Sequence, residues 1–274
     1  MAEFVLHTLR AMPNMRGKKR LARMLIPHSA RAQERTVQDS EGNRMVLPNL
    51  LCFLGQCLAV DGWWEPEVLE FLTQRLDHNS VFVDVGANIG ATTVPLARKV
   101  ARVIAIEPSP KVLPYLHRNI ELNGISNITV VESAASLPGT AAVPLYMPPM
   151  NNYVMGSSAP QFGVEPITVP ALPLDSILEM HGVSDVKAIK LDVEGYEAHV
   201  FLGAERLLSR GTAIIFEFVD WTAERAFPGR AGWAQQILLD AGYKLWSLPD
   251  FLKGADPLSA PVTKGDLELV AFPS

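Results

Sequence analysis

Six charged side chains lie in or at the end of apolar runs in this chain of 274 residues, where a side chain of that kind needs a partner. The stretch VFVDVGANIG, residues 81–90, carries Asp84 and then Gly86, Asn88 and Gly90. RVIAIEP closes on Glu107, KAIKLDVEG holds Lys190, Asp192 and Glu194 at alternate positions, and IIFEF holds Glu217. An acid followed by glycines at a strand end predicts a ligand that comes close to the backbone and is positive or donates hydrogen bonds. A dinucleotide is the first ligand to test. The run Gly86-Ala87-Asn88-Ile89-Gly90-Ala91 lacks the G-x-G-x-x-G turn that seats a pyrophosphate, and Asp84 would repel one. An ammonium suits Asp84 better. Glu107, ending the second strand, is placed to accept hydrogen bonds from both hydroxyls of a ribose. Singly, the two acids also read as a helix cap (Asp84) and a solvated strand end (Glu107). Together they describe an adenosine with an amine and no phosphate, which is S-adenosylmethionine.

These positions need a scaffold, and an alternating pattern from residue 66 supplies one. EPEVLEFLTQRL predicts a helix with Pro66 in its first turn, and SVFVDVG a strand buried on both faces. ATTVPLARKV is helical with Pro95 in its first turn, RVIAIEP a second strand, and SPKVLPYLHRNIELNG a helix capped by Ser109 and stopped by Gly124. NITVVES, KAIKLDVEG, TAIIFEFVD, KLWSL and LELVAF complete seven strands, with helices at LPLDSILEMHG, YEAHVFLGAERLLSRG and GWAQQILLDAGY. Repeated strand–helix units imply a parallel sheet with right-handed crossovers. The expected fold is α/β: a doubly wound, mostly parallel seven-stranded sheet. Residues 1–60 form a basic helical N-terminal extension, with a short hairpin or strand near MVLPN, and residues 61–274 the main domain. The Pro-, Gly-, Ser- and Asn-rich stretch 134–171 reads as an inserted hairpin and loop.

DVGANIG, AIEPSP, IKLDVEGYE, GAERLL and IIFE, in that order, resemble the FkbM family of S-adenosylmethionine-dependent methyltransferases, from about Glu65 to the C-terminus. The resemblance implies the Rossmann-like class I methyltransferase fold and O-methylation, often of sugar or polyketide hydroxyls. It implies that Asp84, Gly86, Asn88 and Gly90 line the methionine portion of the cofactor, with Ala87, Thr92 and Asp192 also at the cofactor. Glu107 would hold the ribose, with Pro108 and Ser109 beside it, and Ser133 and Ala134 would lie near the adenine. WWEPEV resembles the segment preceding the first strand, which brings Glu65 to the cofactor. Ser133-Ala134-Ala135 stands where an acid would close the third strand.

In the class I order the fourth strand lies between the first and fifth, so Lys190 is expected to pair with Asp84, Glu217 or both. An extended strand puts Lys190, Asp192 and Glu194 on one face. A buried ion network that only fixes register is the competing reading for Lys190. Methyl transfer to an alcohol needs a proton acceptor. Asp192 is the first candidate, Glu194 the second and Glu217 the third, with His181 and His199 as alternatives; His199 reads better as a surface or interface histidine. Carboxylates also suit magnesium, but three acids from two strands are not a ligand motif, and no metal is expected. The insertion offers Asn151, Asn152, Tyr153, Ser157 and Ser158 to an acceptor, with Met147, Met150 and Met155 as apolar contacts, and reads as a lid. Trp221 and Phe227 are candidates for the opposite wall.

Composition bounds the alternatives. Residues 1–35 carry eight Lys/Arg against Glu3 and Glu34, a net +6, whereas the whole chain is −5. The acidic body argues against nucleic acid as partner, while the basic N-terminal segment leaves some room for it; the family resemblance implies a small-molecule or glycan hydroxyl as the acceptor. An RNA or protein methyltransferase and a non-catalytic S-adenosylmethionine-binding protein are the competing functions. The basic segment has two readings: a helical extension packed on the domain, or a face for an anionic membrane surface or carrier. The first is the expectation, since Phe4, Val5, Leu6, Leu9, Leu21, Met24 and Leu25 need covering. Cys52 and Cys57 lie in an apolar run without a histidine cluster and read as small buried hydrophobes. With no secretory pattern and no long apolar run, a cytoplasmic location is expected. Oligomeric state has no signature in the sequence.

Overall fold

The computed structural model describes residues 2–12, 15, 17–148, 156–160 and 163–274. Its N-terminal part holds helices α1 (Ala2–Ala11) and α2 (Lys18–Leu25) and an antiparallel hairpin, β1 (Arg35–Gln38) with β2 (Arg44–Leu47). The apolar, β-branched runs then form β3 (Val81–Val85), β4 (Arg102–Ile106) and β5 (Ile128–Val131). The insertion contributes β6 (Ala134–Ser136), β7 (Ala142–Leu145) and β8 (Ile167–Pro173). β9 (Ala188–Leu191), β10 (Ala213–Val219), β11 (Tyr243–Ser247) and β12 (Asp266–Pro273) complete the strands.

The main sheet has the order β11-β12-β10-β9-β3-β4-β5. β10, β9, β3, β4 and β5 pair in parallel, while β12 runs antiparallel to both β10 and β11. This is the expected doubly wound, mostly parallel seven-stranded sheet. The chain moves outward from β3 through β4 and β5 and then returns to β9. The strand order therefore reverses between β3 and β9, and the crevice at their carboxyl ends is where such sheets bind ligands. One apolar cluster, with Val83, Ile104, Ile189, Phe201 and Phe216, fills one face; another, with Phe71, Phe82, Leu96 and Ile215, fills the other.

Several local expectations are corrected. The second crossover helix, between β4 and β5, starts at Leu113, with Pro114 in its first turn, and Ser109 does not cap it: the Ser109 hydroxyl instead contacts Met147 Sδ at 3.5 Å. The helix expected over YEAHVFLGAERLLSRG is broken into Glu197–Leu202 and Glu205–Leu208. A Cβ on Gly203 would overlap the Ser136 carbonyl, so β6 packs against the break. Asp175 caps the second piece, accepting the Arg206 and Leu207 N–H groups at 2.7 and 3.0 Å. The insertion is more than a hairpin: β8 pairs antiparallel with β7 and parallel with β6, giving a three-stranded sheet. Helices Asp220–Ala226 and Leu248–Leu252 were not anticipated.

The N-terminal extension is only partly covered. Leu6 and Leu9 are buried in a cluster with Met45, Leu47, Ile89 and Val94. Phe4, Leu21, Met24 and Leu25 remain exposed, against expectation. For Leu21, Met24 and Leu25 the reason is the phase of α2, which turns Lys18 and Ala22 inward, followed by Ile26, while Lys18 Nζ donates to the Met12 carbonyl at 3.2 Å.

Candidate active site

A cavity of about 750 Å³ opens where the strand order reverses. Asp84, Lys190, Glu217 and Asp266 reach it from the sheet, Asp192 and Glu194 from the loop after β9, and Asp61 and Glu65 from the segment before β3. Its walls thus carry seven acids against two lysines, Lys19 and Lys190, and no arginine among the described residues. Such a field favours a cation and opposes phosphate.

Each charged group has a local cause. Asp84 and Lys190 are register partners on β3 and β9. Asp84 is buried; its Oδ2 accepts from Thr93 Oγ1 at 2.6 Å, and its Oδ1 is buried without a hydrogen-bond partner. Burial raises its pKa against the pull of Lys190. Lys190 does not pair as expected. Its Nζ lies 3.2 Å from Asp192 Oδ2 and 3.4 Å from Glu65 Oε2. Asp192 follows two positions on in an extended backbone, and Glu65 is delivered by a left-handed turn (φ 43°) at the start of helix Pro66–Thr73. Burial works to lower the Lys190 pKa, but Asp192, Glu65 and Asp84 hold it well above the ordinary value.

The extended backbone does not continue to Glu194. That residue has φ 54°, and its carbonyl accepts from Ser157 Oγ at 2.9 Å. Burial, with Asp192 and Glu197 nearby, raises its carboxyl pKa to about 8. Glu217 faces Glu268 directly across β10 and β12. Burial, Asp192, Glu194 and Glu268 push Glu217 far up. Oxygens of Asp192, Glu194 and Glu217 all come within 4.8 Å of one another. Glu107 lies on the other side of the turn. Its two oxygens accept the Asn88 and Ser109 N–H groups at 2.9 and 2.8 Å, while burial raises its pKa to about 7.

The remaining expected residues divide clearly. Gly86, Ala87, Asn88 and Thr92 line the main cavity. A small cavity of about 40 Å³ meets Glu107, Ser109 and Met147, and another of about 50 Å³ meets Pro108, Ala134 and Ser158. Gly90 and Ser133 line none of these. The Gly86 turn makes room for protein rather than ligand, since a Cβ there would overlap the Asp192 carbonyl. Trp221 lines the main cavity, but Phe227 instead packs with Tyr196, His199 and Trp233. Burial lowers the His199 pKa in that aromatic setting, and neither His199 nor His181 reaches the cavities. Asn151, Asn152, Tyr153, Met150 and Met155 lie outside the described residues.

Sequence reasoning missed Thr93 and Glu268. Glu268 had a signal: LELVAF places an acid in an apolar strand as IIFEF does, and the two strands are neighbours. A cofactor bearing a cation and a nucleoside fits this donor set in charge, because Asp84 offers an unused buried oxygen. Each Glu107 oxygen also keeps a lone pair beyond its backbone bond.

The sheet order, with one reversed strand inserted between β10 and β11, defines a class I methyltransferase fold. The Methyltransferase FkbM domain profile matches residues 84–245, and the chain belongs to the FkbM methyltransferase family. Among curated proteins it is similar to a hexuronic acid methyltransferase of Haloferax volcanii, 26% identical over 169 residues. That match covers 56% of this chain and 62% of the relative, less than two thirds of its length. Among solved structures it is similar to an FkbM methyltransferase of Methylobacillus flagellatus (21% identity, 72% of this chain, 44% of that one, TM-score 0.44). It is also similar to a precorrin-6y C5,15-methyltransferase of Geobacter metallireducens (15% identity, 77% of this chain, 87% of that one, TM-score 0.45).

Proposed function

We propose that this chain is an S-adenosylmethionine-dependent methyltransferase acting on a hydroxyl of a small molecule or glycan, with a sugar as the first acceptor class to test. The carrying observation is the excess of acids around the cavity at the strand reversal, seven against two lysines. Family membership and the partial similarity to a hexuronic acid methyltransferase support the reading.

S-adenosylmethionine, when bound, supplies a methyl group on a sulfonium. Asp84 and Glu65 would hold the amino-acid end, and Glu107 would accept hydrogen bonds from the ribose. The cavities on the Glu107 side, about 40 and 50 Å³, are smaller than a nucleoside, so binding requires Met147 and Gly156 to draw back. Ser157, bonded to the Glu194 carbonyl, ties the insertion to the site and supports its reading as a lid. Asp192, held by Lys190, would orient the acceptor hydroxyl. The order of proton acceptors changes from the sequence-based one. A base works best when its pKa lies near the operating pH, which suits Glu194, at about 8, while the Asp192 carboxylate is engaged by Lys190. Lys190 supplies positive charge beside the carboxylates, so no metal is included.

The test is calorimetry with S-adenosylhomocysteine and NAD, followed by turnover with hydroxylated sugars. We expect uptake of the S-adenosyl ligand, weakened at least tenfold by Glu107→Ala, and no uptake of NAD. Tight NAD binding with no S-adenosyl binding would overturn the reading.

A further inference from the structure

The helix α2 presents two different flanks to solvent beside the mouth of the main cavity. At 3.6 residues per turn, its buried stripe of Lys18 and Ala22 leaves Leu21, Met24 and Leu25 on one side and Lys19, Arg20 and Arg23 on the other. Met24 is 72% exposed and Leu25 53%. Phe53, 62% exposed, lies on the other, basic flank, where the Lys19 Nζ is 5.2 Å from its ring centre. Lys19 and Phe53 both line the main cavity, so the basic flank borders the site. Arg20 and Arg23 make no ion pair among the described residues.

We propose that α2 forms a docking face for a lipid bilayer surface bearing anionic head groups. Water gains nothing from contact with Leu21, Met24 and Leu25, whereas the acyl boundary of a bilayer does. Arg20 and Arg23 border the same patch and meet the negative surface potential of anionic lipid. The rest of the chain is acidic, the whole being −5 despite its basic N-terminal segment, so an anionic surface repels the other faces and selects this one. A protein partner would satisfy the apolar residues equally well. The unpaired arginines at the edge favour the charged interface.

The full-length protein is sedimented with vesicles of phosphatidylcholine alone and of phosphatidylcholine with phosphatidylglycerol, at low and high salt. We expect co-sedimentation with the anionic vesicles only, weakened by salt. The double variant Arg20→Glu/Arg23→Glu should lose at least about 25-fold in partitioning, since each basic residue near such a surface contributes roughly fivefold. Met24→Glu/Leu25→Glu should also release the protein, with circular dichroism unchanged, while Lys253→Glu on a remote exposed turn should have no effect. Equal binding to both vesicle types, or anionic binding untouched by either double variant, overturns the proposal. So does light scattering that shows a dimer converted to monomer by Met24→Glu/Leu25→Glu, because a second copy then covers the face.

Discussion

Asp192 and Glu194 stand two positions apart in one loop and have different surroundings. Asp192 meets the Lys190 ammonium, whereas Glu194 is buried beside Asp192 and Glu197, which raises its pKa to about 8. If Glu194 takes the hydroxyl proton, it must first be ionised, so kcat/KM should climb with pH through about 8 and level off above it. Glu194→Gln should abolish that limb and slow turnover by roughly 100- to 10,000-fold. Asp192→Asn removes a neighbouring negative charge, so the limb should move to lower pH while binding of S-adenosylhomocysteine persists. A limb unchanged in Glu194→Gln would assign the proton to another group. The acids were legible because each breaks an apolar run. The Lys190–Glu65 contact was not legible, since it arises from a left-handed backbone turn at a helix start with no mark in the residue types.

Strands β3, β4, β9 and β10 were readable because each is a short continuous apolar run, the pattern of a strand covered on both faces. The broken helix was not readable. Its cause lies in the close approach of β6 to Gly203, and β6 is a three-residue strand. Gly203→Ala would force a methyl group into the Ser136 carbonyl and against Pro173. Overpacking of that kind costs about 1–3 kcal/mol. Chemical denaturation should show that loss, with little change in S-adenosylhomocysteine affinity because Gly203 lines none of the three site cavities. The same mutation without effect would mean that β6 yields freely.

Over the whole molecule, the buried acids link stability to pH. Glu107 and Glu197, each raised to about 7, and Glu194, raised to about 8, all have higher pKa values folded than unfolded. Their contribution is therefore full below the unfolded carboxyl value, about 4.3, and is lost as pH rises toward 7–8. The melting temperature of the ligand-free protein should fall between pH 5 and pH 8, by roughly 2–4 °C for each kcal/mol lost. Scanning calorimetry at fixed ionic strength checks this, and a melting point that rises over that interval would contradict it. The overall topology was legible because alternating strands and helices admit few arrangements. The exposure of Phe4, Leu21, Met24 and Leu25 was not, because helical periodicity marks an apolar flank without saying whether protein covers it.

The reversed strand β12 is laid between β10 and β11, though synthesis delivers it after both. During translation those two strands must wait on either side of an unfilled slot, with open backbone edges of the kind that invites mispairing. The growing polypeptide cannot settle into its final sheet until its last strand has cleared the ribosome. The interval between the emergence of β10 and the emergence of β12 is therefore when the nascent chain most needs shelter from aggregation.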